Sequence, residues 1–331
     1  MSSDVALTTA LAILIIVDIS GNCLVCWVVK RNRDMRHVVS VKEYSAVTPF
    51  NWLLVNLAIA DITFAVFQVP NRILTHHFFT HPDGTIGSAL CKVLTAGNVA
   101  WVGAAAGTIT LVAIAFERYY TVRCPVSGKG KLTKNTLKVI IPACWIFAVA
   151  ANLPTFLVAK FDEKTRNCRL NLPKDWMNVA NNISWLVLLA CIPFALMIGL
   201  YSRVVYELWF KPRDDLEVVC RHKGILRVRK RVTLSVITVS VIFGVCWITG
   251  LLIYVLIHYN ILVFGSASDV VSDIMFMVNS SVNPFVYALL NERFRQKIKA
   301  MLHCTCKSKR YSPATHEPAT IIHQKNQLNT K

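Results

Sequence analysis

This chain is short of charge. Of its 331 residues only 16% are Asp, Glu, Lys or Arg, against 54% hydrophobic, whereas a soluble domain carries about 25% charged residues to solvate its surface. Acids are the scarcer sign, 18 against 36 bases. The gaps between charges fall into seven successive windows of about 20 apolar residues, near 5–29, 50–74, 93–116, 137–159, 180–209, 232–258 and 267–290. Such a series excludes an ordinary globular domain and predicts a polytopic, all-α membrane protein. The acids at membrane depth are Asp18 and Asp61, too few to line a continuous polar path, which argues against a channel. Internal repeats and inverted hydropathy symmetry are also missing, which argues against a secondary transporter. No basic stretch precedes the first window, so a cleavable signal peptide is not expected and the first helix is expected to act as its own anchor.

The net charge of +18 does not imply nucleic acid. With the N-terminus outside, four cytoplasmic segments (30–42, 118–138, 203–231 and 293–331) hold 29 of the 36 bases, the bias that orients membrane helices. The plasma membrane is the expected location, with the C-terminus cytoplasmic. Of eleven cysteines only Cys91 and Cys168 fall in outer segments, where a disulfide persists. They read as one staple between the top of the third span and the second outer loop. Residues 291–304 place Phe294, Ile298 and Met301 on one face, predicting an amphipathic helix along the inner leaflet. Cys304 and Cys306 at its end are candidate palmitoylation sites, with the unmodified thiols an equal alternative. Bundle and amphipathic helix together take residues 1–304; the polar remainder, 305–331, is expected to be a disordered tail.

Polar side chains inside a bilayer are costly and mark function by default. Asn22 lies in the first span, Asp61 in the second, and Asn279 and Asn283 four apart on the seventh, hence on one helix face. Pro284 removes a helix hydrogen bond and frees a carbonyl for the same polar network. The network is either structural or a switch with two arrangements. Glu117 and Arg118 stand at the inner end of the third span, about 40 Å from Cys91 at 1.5 Å per residue. The arginine either snorkels to the interface or exchanges partners when the bundle opens.

Taken in order, Gly21–Asn22 with Val25, "NLAIAD" ending at Asp61, "ERY" at Glu117–Tyr119, Trp145, Pro193 with Tyr201, "FGVCW" ending at Trp247 and "NPFVY" at Asn283–Tyr287 resemble the rhodopsin-like (class A) G-protein-coupled receptors. The likeness covers residues 5 to about 304. It implies a seven-helix bundle and no enzymatic activity. An extracellular ligand would bias the sixth span about Trp247. Glu117, Arg118, Tyr119, Tyr201, Asn283, Pro284 and Tyr287 would then rearrange and open the inner face to a heterotrimeric G protein. Arrestin and receptor kinases at the tail are further implied partners, with membrane lipid around the bundle. No cofactor is implied beyond a sodium ion at Asp61, Asn279 and Asn283.

Several positions depart from the family pattern. Thr249 stands where a proline usually follows the sixth-span tryptophan, so Gly250 is expected to keep that helix pliable. Gly107 replaces the third-span hydroxyl that usually helps hold sodium. The inner start of the sixth span, "RVRKR", has no acid to lock Arg118. Ala100 or Asn98 occupies the position of the amine-receptor aspartate, and Phe276 that of the light-sensing lysine, which disfavours both ligand classes. The remaining flow of sequence resembles the neuropeptide-receptor branch, with RF-amide, tachykinin or galanin-type members as relatives. The long, charged second outer loop suits a hairpin that frames a peptide. Gln68, Asn98, Trp101, Tyr254, His258 and Asp273 are candidate pocket residues, and Asp269 is either a ligand contact or a solvated cap. A non-peptide ligand, or a decoy that binds without coupling, is the alternative.

Overall fold

The computed structural model describes residues 2–32, 47–74, 81–123, 132–163, 167–170, 172–211, 216–259, 261–262 and 267–308. Much of the first inner loop and the tail from 309 onward lie outside the described residues.

Ten α-helices and one hairpin make up the described chain: α1 (Ser2–Arg31), α2 (Val47–Gln68), α3 (Gly84–Leu90), α4 (Asn98–Arg123), α5 (Lys134–Val158), β1 (Ala159–Asp162), β2 (Asn167–Leu170), α6 (Asp175–Trp185), α7 (Ile192–Val205), α8 (Leu216–His258), α9 (Ala267–Leu290) and α10 (Glu292–Ser308). Wide π-helical turns interrupt the long spans, two of them beside a proline that removes a backbone donor. Val69–Leu74 contains Pro70, and Leu186–Cys191 runs into Pro193. α2 with its wide turn forms one span, and α6, α7 and the turns beside them form another.

The helices close a ring. α1 packs on α2 and α9, α9 on α8, and α8 on the α6–α7 span; α4 fills the middle against α2, α5 and α7. Small residues let α4 sit there: Ala100, Gly103, Ala104, Ala105, Ala106 and Gly107 are all buried. A Cβ at Gly103 would come within 2.9 Å of the Ala60 carbonyl oxygen and the Phe64 nitrogen, so backbone approach between α2 and α4 requires glycine there.

Outside the ring, Ile16, Ile146, Phe147, Leu157, Leu188 and Leu289 are exposed, an apolar belt suited to lipid. Six helical stretches among the described residues are long and apolar enough to cross a bilayer. α9 is not one of them. It is 24 residues long but carries Asp273, Asn279, Ser280 and Asn283, all buried, and its place in the ring comes from packing on α1 and α8. α10 reaches Ser308, past the expected end at 304, so the start of the expected tail is helical. Its side chains from residue 302, Cys304 and Cys306 among them, lie outside the described set.

At one end of the bundle β1 and β2 pair antiparallel with Phe161 opposite Cys168. The Cys91–Cys168 disulfide joins this hairpin to the start of the α4 span, with Cα atoms 5.8 Å apart. His81 stacks on Phe161 at 3.9 Å and its Nε2 lies 2.9 Å from Thr95 Oγ1. The Gly84 amide donates to Glu163 at 3.0 Å. The bridge closes 77 residues, so removing it releases a large constraint on the unfolded chain. Cys168→Ser is expected to cost about 2–5 kcal/mol, read as a lower thermal midpoint of the solubilised protein. An unchanged midpoint would show that the polar contacts around His81 hold the hairpin by themselves.

Candidate functional site

α9 organises the site. Asp273, Phe276, Ser280, Asn283 and Tyr287 recur every three or four residues, so one face of one helix passes through three clusters at successive depths.

Nearest the hairpin is an aromatic cluster with an ion pair at its mouth. The Trp101 ring centroid lies 6.1 Å from Trp185, 6.0 Å from Trp247, 6.5 Å from Tyr254 and 5.6 Å from Phe276. Trp247 also packs on Phe276 at 4.7 Å, Phe243 at 5.9 Å and Phe64 at 6.3 Å. Above these rings Arg72 pairs with the buried Asp273, Nε to Oδ2 at 2.9 Å and Nη2 to Oδ1 at 3.0 Å, and also donates to the Tyr254 hydroxyl at 2.8 Å. Tyr254 in turn donates to Asp273 at 3.2 Å. Arg72 was not among the expected residues, although it is the only base of the second span; the wide turn after Gln68 carries it toward α9. Gln68 is buried. Asn98 is committed elsewhere, its amide donating to the Lys92 carbonyl at 2.8 Å. The side chains of His258 and Asp269 lie outside the described residues.

Gly250 has a packing reason for being glycine. A Cβ there would lie 2.5 Å from the Phe276 ring. α8 runs without interruption from Leu216 to His258, with Thr249 exposed on its outer side. The expected pliability at Gly250 is therefore not visible as a break; the glycine instead makes room for the Phe276 ring against α8.

At mid-depth, Asn283 Nδ2 donates to Asp61 Oδ2 at 2.8 Å. Asn22 Nδ2 donates to Asp18 Oδ1 at 2.5 Å, to the Asp18 carbonyl at 3.1 Å and to the Ser280 carbonyl at 3.4 Å. Ser280 is four residues before Pro284, so its carbonyl is the one the proline frees. Gly21 touches the same proline, a Cβ there standing 2.9 Å from Pro284 Cγ. Asn279 is buried and its Oδ1 has no hydrogen-bond partner. Beside this cluster Asn56 donates to Thr110 at 2.7 Å and accepts from Trp145 Nε1 at 3.0 Å, tying α2, α4 and α5. Among the described residues no three His, Cys, Asp or Glu gather as a metal site.

At the far end Glu117 and Arg118 pair with each other, and Thr121 donates to Glu117 at 2.8 Å. The Arg118 guanidinium lies 4.3 Å from the Phe50 ring centroid. Tyr119 pairs with Arg123 one turn on. Tyr201 lies within electrostatic range of Arg118, and Tyr287 within range of Tyr201 and Asp61. Tyr287 is buried and stacks edge-on with Phe294 of α10 at 6.4 Å. No acid lies among the described side chains of α8 at this end. Its Arg231 is instead paired with Glu292 at the start of α10.

This arrangement matches a known class. The profile described as "7 transmembrane receptor (rhodopsin family)" matches residues 21–287, and the chain belongs to that family. It is 29% identical over 298 residues to an allatostatin-A receptor of Bombyx mori, covering 87% of this chain and 77% of the relative. It is 27% identical to a pyroglutamylated RF-amide peptide receptor of Rattus norvegicus, covering 96% and 74%. A tachykinin-like peptides receptor of Drosophila melanogaster is 26% identical, covering 89% and 58%.

Crowding a closely packed ring costs about 1–3 kcal/mol, so Gly250→Ala is expected to lower the thermal midpoint accordingly. Adding Phe276→Leu should recover part of the loss. Additive losses in the double variant would mean that Phe276 is not what Gly250 accommodates.

Proposed function

We propose that the chain is a plasma-membrane receptor that binds an extracellular peptide at the hairpin end and activates a heterotrimeric G protein at the α10 end. The observation that carries the reading is the face of α9 that joins a closed aromatic cluster to a buried polar network and ends at Tyr287, toward the α10 end. The orientation rests on the 29 bases of the cytoplasmic segments.

The peptide class follows from the named relatives together with the mouth of the cluster. The hairpin supplies a rim, the rings of Trp101, Trp185, Tyr254 and Phe276 take apolar or aromatic side chains, and Arg72 and Asp273 offer both signs of charge. A peptide that displaces Arg72 from Asp273 changes contacts between the second span and α9. Contact with Trp101 and Phe276 reaches Trp247, and through it α8. Arg118, held by a residue of its own helix and by an aromatic face, is then free to take a partner on the G protein once α8 moves outward. Tyr201 and Tyr287 stand where they can support that position, and α10 with the tail offers a surface to arrestin and kinases. Not an enzyme, the protein would transmit a change of shape.

Guanine-nucleotide exchange on a panel of Gα subunits, with a peptide library applied to reconstituted receptor, tests the reading. Arg118→Ala is expected to abolish exchange while sparing peptide binding; equal loss of both would reduce Arg118 to a folding role. Asp273→Asn is expected to weaken peptide binding at least about tenfold, as leaving one partner of a buried pair uncompensated does. Peptide that binds without raising exchange on any Gα would favour the decoy alternative.

A further inference from the structure

The basic start of α8 is divided between two neighbours. Arg231 is ion-paired with Glu292 in the first turn of α10. Lys230, one residue earlier, lies 5.0 Å over the Trp209 ring in the wide turn Tyr206–Phe210 that ends the α7 span. Glu207 of that turn is taken by Lys211 at 3.0 Å, so α10 supplies the acid that meets Arg231.

The two sides of this bond are anchored very differently. Glu292 stands on a fixed corner: Asn291 Oδ1 accepts from the Phe294 amide at 3.3 Å, Phe294 is buried, and its ring meets Tyr287 edge-on. The start of α10 is thereby tied to the end of α9. Arg231 instead sits about 24 Å from the Trp247 level at 1.5 Å per residue, far along α8. Both side chains are about half exposed, so the bond is within reach of water and salt. Glu292 also lies in the first turn of α10, where the helix dipole favours an anion. Losing Arg231 leaves the acid in a favourable place, and the bond opens at little cost. Arg118, paired within its own helix, does not take this role.

We propose that Arg231 and Glu292 form a reversible latch that holds the inner end of α8 against α10 in the resting receptor. The tie runs from the sixth span to the amphipathic helix, not from the sixth span to Arg118, and it gives the basic start of α8 an acid from elsewhere in the chain. Opening of α8 breaks the latch, so weakening the latch populates the open form without ligand. The inference rests on the outward motion of α8 proposed above, and its readout uses neither peptide nor Gα.

The test takes the full-length chain in lipid nanodiscs, spin-labelled through keto-bearing amino acids at the exposed positions Arg227 of α8 and Gln296 of α10. Double electron–electron resonance reads the distance between them. Arg231→Glu and Glu292→Arg are each expected to raise the long-distance fraction at least about twofold, the scale of an exposed pair. The doubly reversed protein should return toward the parental distribution. Lys230→Glu, an equal charge change one residue away, should not be recovered by Glu292→Arg. In the parent, raising potassium chloride from about 50 mM to about 500 mM should also increase the long-distance fraction, as screening of an exposed pair requires. Arg231→Gln should remove that dependence. Effects that add in the double reversal, a parental distribution that ignores salt, or single variants with the parental distribution each overturn the latch. If the distances shift as expected while ligand-free nucleotide exchange stays flat on every Gα, the latch stands and the coupling reading fails instead.

Discussion

A carboxylate buried in an apolar bundle must be answered by a neighbouring helix, and the bond from Asn283 to Asp61 is that answer. Hydrophobic contacts between lipid-embedded helices set neither rotation nor depth closely, because lipid tails are as apolar as the side chains they replace. A directional bond between buried groups sets both. The 2.8 Å contact from α9 to α2 and the reach of Asn22 from α1 to the Ser280 carbonyl together fix three helices at one level. Pro284 makes the second contact available by withholding its own N–H, and Gly21 lets α1 come close enough to use it.

The small-residue interior of α4 shapes the remainder. Ala100 and the run of small residues from Gly103 to Gly107 let the surrounding helices close on α4 with backbone contact, at the loss of polar side chains on that face. Polar work is then distributed to the neighbours: Asn56 of α2 gathers Thr110 and Trp145, and α1 brings a second acid.

Much of this was legible because cost is legible. Asn22, Asp61, Asn279 and Asn283 stand out in apolar windows, and the two cysteines of the segments expected outside pair at the hairpin end. Legibility stopped where a residue's meaning depends on what faces it. Asp18 was visible as an acid but not as a neighbour of Asp61. Arg72 reads as an isolated base until the wide turn after Gln68 brings it to Asp273. Asn98 has the right depth for a pocket yet serves the turn before α4. Gly250 suggests a hinge by residue type and proves to be the seat of the Phe276 ring, a contact of 26 residues' separation that no local pattern encodes. α9 falls short of a span by composition because Asp273, Asn279, Ser280 and Asn283 lower its hydropathy, and packing hides all four.

The distribution of ties along α8 says where that helix can move. Near the hairpin it is held by the stack of Trp247 on Phe276 and Phe243 and by the seating of Phe276 against Gly250, contacts that are buried and extensive. At the α10 end its ion pair, Arg231 with Glu292, is about half exposed on both sides, and exposed pairs contribute about 0–1 kcal/mol. Arg118 adds nothing to hold α8, since its partner Glu117 lies on its own helix. In the proposed mechanism α8 acts as a rod, and force at the Trp247 level swings its α10 end. On that mechanism the Trp247 level is the fulcrum, and the α10 end is where a small change in the aromatic cluster becomes a large displacement.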